Sequence, residues 1–141
     1  MYGDTEAIRG LARTMREQGS ALRSEAATLL AGAESVPWQG LAADAMRALV
    51  REQVASLRRT AVLSDDAARA LDRHADEVDR LKALIASIEH HVMSMVDAAR
   101  HRIAGLVESV LPDPLDELLA RFDPPPPGHR DWLRVDLPGV S

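Results

Sequence analysis

The chain lacks cysteine entirely and has few aromatic residues: two tryptophans, one tyrosine and one phenylalanine among 141 residues. The absence of cysteine excludes a disulfide framework, a thiolate nucleophile and a cysteine-based zinc site. Runs of valine, isoleucine, tyrosine and threonine, which are typical of strands, are also missing. Because 46% of the residues are hydrophobic and most of these are aliphatic, the composition predicts one all-α domain with an aliphatic core.

Other missing sequence features reduce the number of possible functions. The net charge is −5 and basic residues are interleaved with acidic ones, so a surface that neutralises nucleic-acid phosphates is not expected. No stretch of about 18 uncharged apolar residues occurs, which argues against a membrane-spanning helix. The N-terminus, MYGDTEAIRG, lacks the basic start, apolar middle and cleavage site of a secretory signal. The protein is therefore expected to stay in the cytosol or to be exported by a route that accepts folded proteins.

The first part of the chain has apolar residues every seven positions, at Ile8, Met15, Leu22 and Leu29. This spacing predicts a helix over about residues 5–34, with a narrow apolar seam that packs against another helix. Gly19 lies beside the seam. It costs roughly 1 kcal/mol of helix propensity, but it allows another backbone to approach closely.

The stretch GAESVPWQG interrupts this pattern, because Pro37 cannot continue a helix. We place a turn at residues 35–40 and a long second helix at about 41–109, too long for the first helix to cover. Its seam residues again fall at multiples of seven: Val50, Leu57, Leu71, Val78 and Ile85. The alternative to one continuous helix is a kink at residues 63–66, LSDD, which have the chemistry of a helix end. The far half is expected to be covered by a partner chain or by the C-terminal segment.

The C-terminal part predicts a short third helix at residues 112–122, with Asp113 as its N-cap and Pro114 in its first turn. Its apolar face consists of Leu115, Leu118, Leu119 and Phe122. Residues 123–141 contain four consecutive prolines near their start, which favour an extended polyproline segment. The residues after the prolines form either a disordered tail or a strap that docks through Trp132, Leu133 and Val135. The helical hairpin domain is thus expected to span residues 1–111.

Nothing in the sequence indicates catalysis, since it has neither a nucleophile elbow nor a glycine-rich phosphate loop. Histidines gather late in the second helix, at His90, His91 and His101, with Asp97 one helical turn before the last of them. A carboxylate and an imidazole on one helix face can bind a metal. However, the Glu-x-x-His and His-Glu-x-x-His spacings are missing. We therefore expect no metal site, no cofactor and no enzyme activity.

The stretch HRIAGLVESVL carries a wide apolar face if it is helical: Ile103, Leu106, Val107, Val110 and Leu111. Such a face is typical of a surface that contacts a membrane or a partner protein. Acidic residues on both sides weaken the case for a membrane. We expect this helical segment to pack on its own hairpin.

The turn between the two long helices contains the sequence Trp38-Gln39-Gly40. An indole in this place can lie across the ends of both helices and bury its apolar face, while Gly40 allows a tight or left-handed backbone. A contact between Trp38 and a partner protein is compatible with that position. A Trp-x-Gly turn between amphipathic helices, in a small alanine-rich chain without cysteine, resembles the WXG family. These are the early-secreted-antigen-like proteins of type VII secretion in actinobacteria and firmicutes.

The resemblance covers roughly residues 4–85. It implies an antiparallel helical hairpin that forms a four-helix-bundle-like homodimer, or a heterodimer with another WXG-like protein, and is secreted without a cleaved signal. Trp38 and Gly40 would form the turn, and the seam would supply core and dimer interface: Met15, Leu22, Leu29, Val50, Leu57, Leu71, Val78 and Ile85. A secretion ATPase or a toxin is a further partner. The family's Tyr-x-x-x-Asp/Glu export signal follows the second helix, whereas the only tyrosine here is Tyr2. The chain is then the signal-less member of a heterodimer or a relative that is not exported.

Two other functions stay open from the sequence. A cytosolic chaperone or adaptor of a secreted toxin would not be exported and would co-purify with a larger protein. A membrane-perturbing effector would make liposomes leak. The main prediction is the type VII substrate or accessory protein, which acts by helix-mediated protein binding.

Overall fold

The computed structural model describes residues 4–107 and 110–140, and within these ranges the chain is helical without any strand. The α-helices are α1 (Thr5–Ser35), α2 (Leu41–Ala104) and α3 (Pro114–Ala120), and a 3-10 helix spans Arg130–Arg134. The predicted all-α class, with a long second helix and a short third one, is confirmed. The chain divides into an N-terminal unit, Thr5–Asp76, and a C-terminal unit, Glu77–Ser141 together with Met1–Asp4. The two units are described separately.

The helix boundaries follow local chemistry. α1 ends and α2 begins on either side of Pro37, as expected from the missing N–H of proline. Residues 63–66 are helical throughout, so LSDD does not end a helix. α2 ends at Ala104 rather than near residue 109, because Gly105 follows, a residue of low helix propensity. The Gly105 N–H still donates to the His101 carbonyl oxygen at 3.1 Å.

Small residues form the contact between α1 and α2 in the N-terminal unit. The buried positions of α1 after its first residue lie seven residues apart, at Ala12, Gly19, Ala26 and Ala33. Buried positions of α2 with the same spacing are Val54, Ala61, Ala68 and Ala75. We call these eight residues the small-residue stripe. The separation of two packed helices depends on the side chains at their contact, so this stripe brings the two backbones close together.

Gly19 lies where α1 and α2 approach each other closely. A Cβ atom at this position would lie 3.3 Å from the Ala61 carbonyl oxygen and 2.8 Å from the Asp65 Oδ1. Real Cβ atoms are rarely found so near to other heavy atoms. The predicted use of Gly19, to let another backbone come close, therefore agrees with the geometry.

Ion pairs between α1 and α2 flank the stripe. Arg9 pairs with Asp76 at 3.0 Å, and two further arginines of α1 pair with aspartates of α2: Arg16 with Asp72 and Arg23 with Asp65. As the residue number rises along α1, the number of its partner on α2 falls. These side chains are all partly exposed, so each pair contributes little stability by itself.

The C-terminal unit has its own core, in which the segment after α3 packs on α2. The core residues are Ile85, Val92, Val96, Ala99, Leu119, Trp132 and Leu137. Trp132 is only 1% exposed, and its Nε1 donates to the Pro126 carbonyl oxygen at 3.0 Å. Of the two alternatives that the sequence left open, residues 123–140 thus form a docked strap. The strap covers part of the far half of α2 without a partner chain.

Helix α3 begins as its sequence predicts. Asp113 is the N-cap and accepts from the Leu115 N–H at 2.8 Å, and Pro114 occupies the first helical turn. Its predicted apolar face is only partly buried: Leu119 is in the core and Phe122 is half-buried, whereas Leu115 and Leu118 are exposed.

Polar contacts hold α3 on α2. Arg102 donates to both carboxylate oxygens of Asp116, at 2.9 and 2.6 Å. This hydrogen bonding lowers the pKa of Asp116 below its ordinary value; desolvation opposes it, and the charge of Arg102 adds a smaller lowering effect. Arg100 donates to the Ala120 carbonyl oxygen at 3.3 Å, near the end of α3, where cations are favoured.

Candidate functional site

An arginine holds the turn between α1 and α2. Arg47, in the second turn of α2, donates to the carbonyl oxygens of Val36 at 2.9 Å and Trp38 at 2.7 Å. Gly40 has a φ of 107°, which glycine adopts without strain. Its carbonyl oxygen accepts from the Asp44 N–H at 3.0 Å and so starts the hydrogen-bond ladder of α2. The structure therefore places Gly40 in the turn, and it assigns to Arg47 a role that the sequence did not reveal.

The Trp38 side chain lies on the surface of the turn. It is 62% exposed, which differs from the expected position across the ends of both helices. Arg47 already donates to the carbonyl oxygens of Val36 and Trp38, so these groups are paired without a buried indole. An exposed indole of this size is typical of sites that contact another molecule.

An apolar groove lies beside the turn, formed by the end of α1, the connection and the start of α2. Its volume is about 390 Å³, and its lining includes Thr28, Leu29, Gly32, Val36, Met46 and Val50. We call it the turn groove. Leu29 and Val50, two of the predicted seam residues, come together in its walls. The groove is thus an apolar surface within the N-terminal unit that this unit does not fill itself.

The predicted seam residues lie mostly at the edges of the helix contact. Half-buried positions are Met15, Leu22, Leu29, Val50, Leu57 and Leu71, while Val78 and Ile85 are buried in the C-terminal unit. The deeper positions belong to the small-residue stripe. Its signal was present in the sequence as alanine and glycine at intervals of seven, next to the larger residues on which the prediction relied.

Neighbouring arginines shift the pKa of Asp65 in the N-terminal unit. A hydrogen bond from Arg23 is the main cause that lowers the pKa of this carboxyl below its ordinary value of 3.8. Desolvation acts in the opposite direction, and the charges of Arg23, Arg69 and Arg16 add to the lowering. The carboxylate therefore stays ionised at lower pH than an ordinary aspartate.

An Asp65→Asn substitution tests the contribution of this pair. Because the folded-state pKa lies below the unfolded one, the carboxylate stabilises the folded chain above the unfolded pKa, and this effect is lost as the pH falls through the folded value. The urea midpoint of the variant should lie below that of the parent chain at neutral pH, and this difference should shrink below pH 3.8. Glu25→Gln, on the exposed face of α1, controls for net charge. A difference that persists unchanged at the lowest pH would contradict this assignment.

One of the histidines near the end of α2 contacts the strap. The His91 Nε2 lies 3.3 Å from the Gly139 carbonyl oxygen. His90 and Asp97 line a shallow groove together with Glu89, whose carboxylate accepts from the Gly128 N–H at 3.1 Å. Among the residues that the structure describes, no three histidine, aspartate or glutamate side chains are grouped so that they could hold a metal ion.

The apolar stretch after α2 does not form the predicted helical face. Because α2 ends at Ala104, the apolar side chains beyond it lie in a non-helical connection: Leu106, Val107, Val110 and Leu111. They are exposed, and Leu111 is 91% exposed. The prediction that they pack on the hairpin as a helix is wrong, since Gly105 and Pro112 bracket this stretch and disfavour a helix there.

Two predictions concern membranes and export. Over residues 4–107 and 110–140, no helix combines the length and the apolar character needed to span a bilayer. Tyr2, the only tyrosine that could belong to an export motif, lies outside the described residues.

Comparison of the chain with protein-family models, with curated proteins and with solved structures gives no match.

Proposed function

We propose that this protein acts by binding other helical proteins, as a homodimer or heterodimer of the WXG type, and that it is a substrate or accessory protein of type VII secretion. In this proposal α1 and the first part of α2 form an antiparallel hairpin. The reversed order of the ion pairs from Arg9–Asp76 to Arg23–Asp65 supports that arrangement. The resemblance of Trp38-Gln39-Gly40 to the WXG turn supports the link to secretion.

One observation carries the binding function. Trp38 is mostly exposed although the turn is closed without it, and the turn groove beside it is apolar and unfilled. Apolar surface of this kind is stabilised when a partner removes it from water, by about 25 cal/mol per Å². The larger seam residues, which α1 and α2 leave half-buried, add to the surface that a partner can cover.

The strap restricts where a partner helix binds. Ile85, predicted for the dimer interface, packs in the same core as Trp132 and Leu137 of the strap. A second chain cannot occupy that surface while the strap is docked. We therefore propose that the interface lies on the N-terminal unit, with Leu29 and Val50 among its residues.

Light scattering of the full chain after size exclusion tests this proposal. At micromolar concentration we expect the mass of two chains, or a one-to-one complex when a WXG-like protein encoded beside it is co-expressed. Leu29→Asp should weaken that association, because it places a charge in the turn groove. Leu111→Asp, at an exposed site in the other unit, is the matched control. A monomer in both preparations would overturn the binding proposal.

Export is tested separately in the organism that encodes the chain. We expect the protein in the culture medium of the parent strain and its loss from the medium when the secretion ATPase is deleted. Retention in the cytosol together with a co-purifying toxin would instead support the adaptor function.

A further inference from the structure

Near its start the strap contains four consecutive prolines, residues 124–127, which we call the proline segment. None of these residues is in a helix. A proline ring holds φ at about −65°, and it also moves the residue before it into the extended region. Both restraints act on most of the segment. They favour a polyproline II rod, which has about three residues per turn and no internal hydrogen bonds.

We propose that the proline segment is a binding site for a second protein, one with a groove lined by aromatic side chains. Such grooves, of which those of SH3 domains are an example, take up Pro-x-x-Pro segments in the polyproline II conformation. Pro124 and Pro127 have this spacing. The site lies within the C-terminal unit, so this proposal does not depend on the interface proposed for the N-terminal unit.

The first argument is the pattern of exposure along the rod. Residues three apart lie on the same edge of a polyproline II helix. Phe122 and Pro125, which are three apart, are both half-buried. Pro124 and Pro127, also three apart, are both exposed, and so is Pro126 on the remaining edge. One edge is therefore covered by the protein itself, while two edges stay open, including the one with the Pro-x-x-Pro spacing.

The second argument is that hydrogen bonds hold the segment at both ends. Arg100 donates to the Phe122 carbonyl oxygen at 3.5 Å. The Trp132 Nε1 donates to the Pro126 carbonyl oxygen at 3.0 Å. The same oxygen accepts from the His129 N–H at 3.1 Å. A segment fixed in this way has already lost the conformational freedom that a loose tail would lose on binding, so more of the contact energy remains as affinity.

The third argument is the chemistry that the segment leaves open. Proline has no N–H, so its backbone only accepts hydrogen bonds. In the described parts of the chain, the carbonyl oxygens of Pro124 and Pro125 accept none. Tryptophan and tyrosine combine an apolar ring with a hydrogen-bond donor, which suits a surface of proline rings and unpaired oxygens. The contact of Trp132 with the Pro126 carbonyl oxygen shows such a pairing within the chain.

Charge is expected to contribute little. Arg121 and Asp123, just before the prolines, are both exposed, and neither takes part in an ion pair within residues 110–140 or with the described part of α2. Their charges are opposite, so the affinity should change little with salt. Because the site is short, we expect a small interface of the kind found in weak, transient complexes.

Titration of an isotope-labelled SH3 domain with the unlabelled full chain tests the proposal by nuclear magnetic resonance. The domain carries the label because the prolines have no N–H signals of their own. We expect saturable shifts that are confined to the aromatic groove of the domain. The same domain with its groove tryptophan replaced is the control probe and should show no shifts. Absence of shifts in the intact domain, or equal shifts in both domains, would overturn the proposal.

Two matched variants of the full chain test which edge of the rod is recognised. Pro124→Ala and Pro125→Ala each remove one ring and one restraint on φ, but only the first changes an exposed edge. Pro124→Ala should weaken binding at least about fivefold more than Pro125→Ala does. Pro127→Ala, on the same edge as Pro124, should weaken it in the same way. Near-ultraviolet circular dichroism checks that Trp132 stays docked. Equal losses in all three variants would overturn recognition of the exposed edge.

Discussion

Replacing Trp132 with alanine is expected to lower the free energy of opening of the C-terminal unit by about 3–5 kcal/mol, the range for removing a large aromatic side chain from a core. Trp132 is almost fully buried and packs with Ile85 and Val92 of α2. It also contacts Phe122, with ring centroids 6.3 Å apart. Its loss removes the main apolar contact of the strap. Hydrogen exchange of residues 77–140 under native conditions measures this opening.

The chain contains its own control for this substitution. Trp38, the other tryptophan, is mostly exposed, so Trp38→Ala should change the stability of a dilute sample by no more than about 0.5 kcal/mol. Faster exchange in the Trp132→Ala variant should be confined to the C-terminal unit. Equal effects of the two substitutions would show that the strap is not docked through its indole.

Gly19→Leu is expected to destabilise the N-terminal unit by about 2–3 kcal/mol, as overpacking of a close contact does. Even the first carbon of a side chain would approach the Ala61 carbonyl oxygen and the Asp65 carboxylate too closely. Leucine must therefore push α2 away from α1 and disturb the Arg23–Asp65 pair. This cost exceeds the gain in helix propensity of about 0.8–1.0 kcal/mol from replacing glycine. Urea unfolding followed by circular dichroism measures the change.

Gly32→Leu is the matched control, because it makes the same chemical change in the same helix. A Cβ added at Gly32 meets no atom within 4 Å. At concentrations too low for dimerisation, this variant should gain up to about 1 kcal/mol from helix propensity. If Gly19→Leu and Gly32→Leu changed stability equally, the close approach of α1 and α2 at Gly19 would be disproved.

Features that depend on neighbouring residues were predictable from the sequence. The break at Pro37, the start of α2 after Gly40 and the Asp113–Pro114 cap each follow from backbone chemistry within a few residues, and each lies where the sequence placed it. The end of α2 was placed too late, because the apolar pattern continues beyond Ala104. There Gly105 and Pro112 oppose a helix that the pattern alone favours.

Features that depend on contacts between distant residues were not predictable to the same degree. Apolar periodicity predicted Met15, Leu22 and Leu29 as core or interface residues, whereas burial is deepest at the alanines and glycine beside them. Hydrophobicity increases with side-chain size, but the closest contact between two helices requires small side chains. Docking of the strap depends on Trp132 meeting α2 across a long sequence separation, and no local pattern reveals such a contact.

The seven-residue repeat of the small-residue stripe affects how α1 is positioned along the length of α2. A surface that repeats every seven residues fits its partner equally well after a slide of seven, about 10 Å along the helix, so shape alone does not select one alignment. A slide in one direction would place Arg9 opposite Arg69 and Arg23 opposite Arg58, where like charges repel, and only Arg16 would still face an aspartate, Asp65. A slide in the other direction would stretch residues 36–40 almost to their full extension. The arginines and the short connection therefore select one alignment of α1 and α2, because the stripe alone would fit equally well in a shifted position.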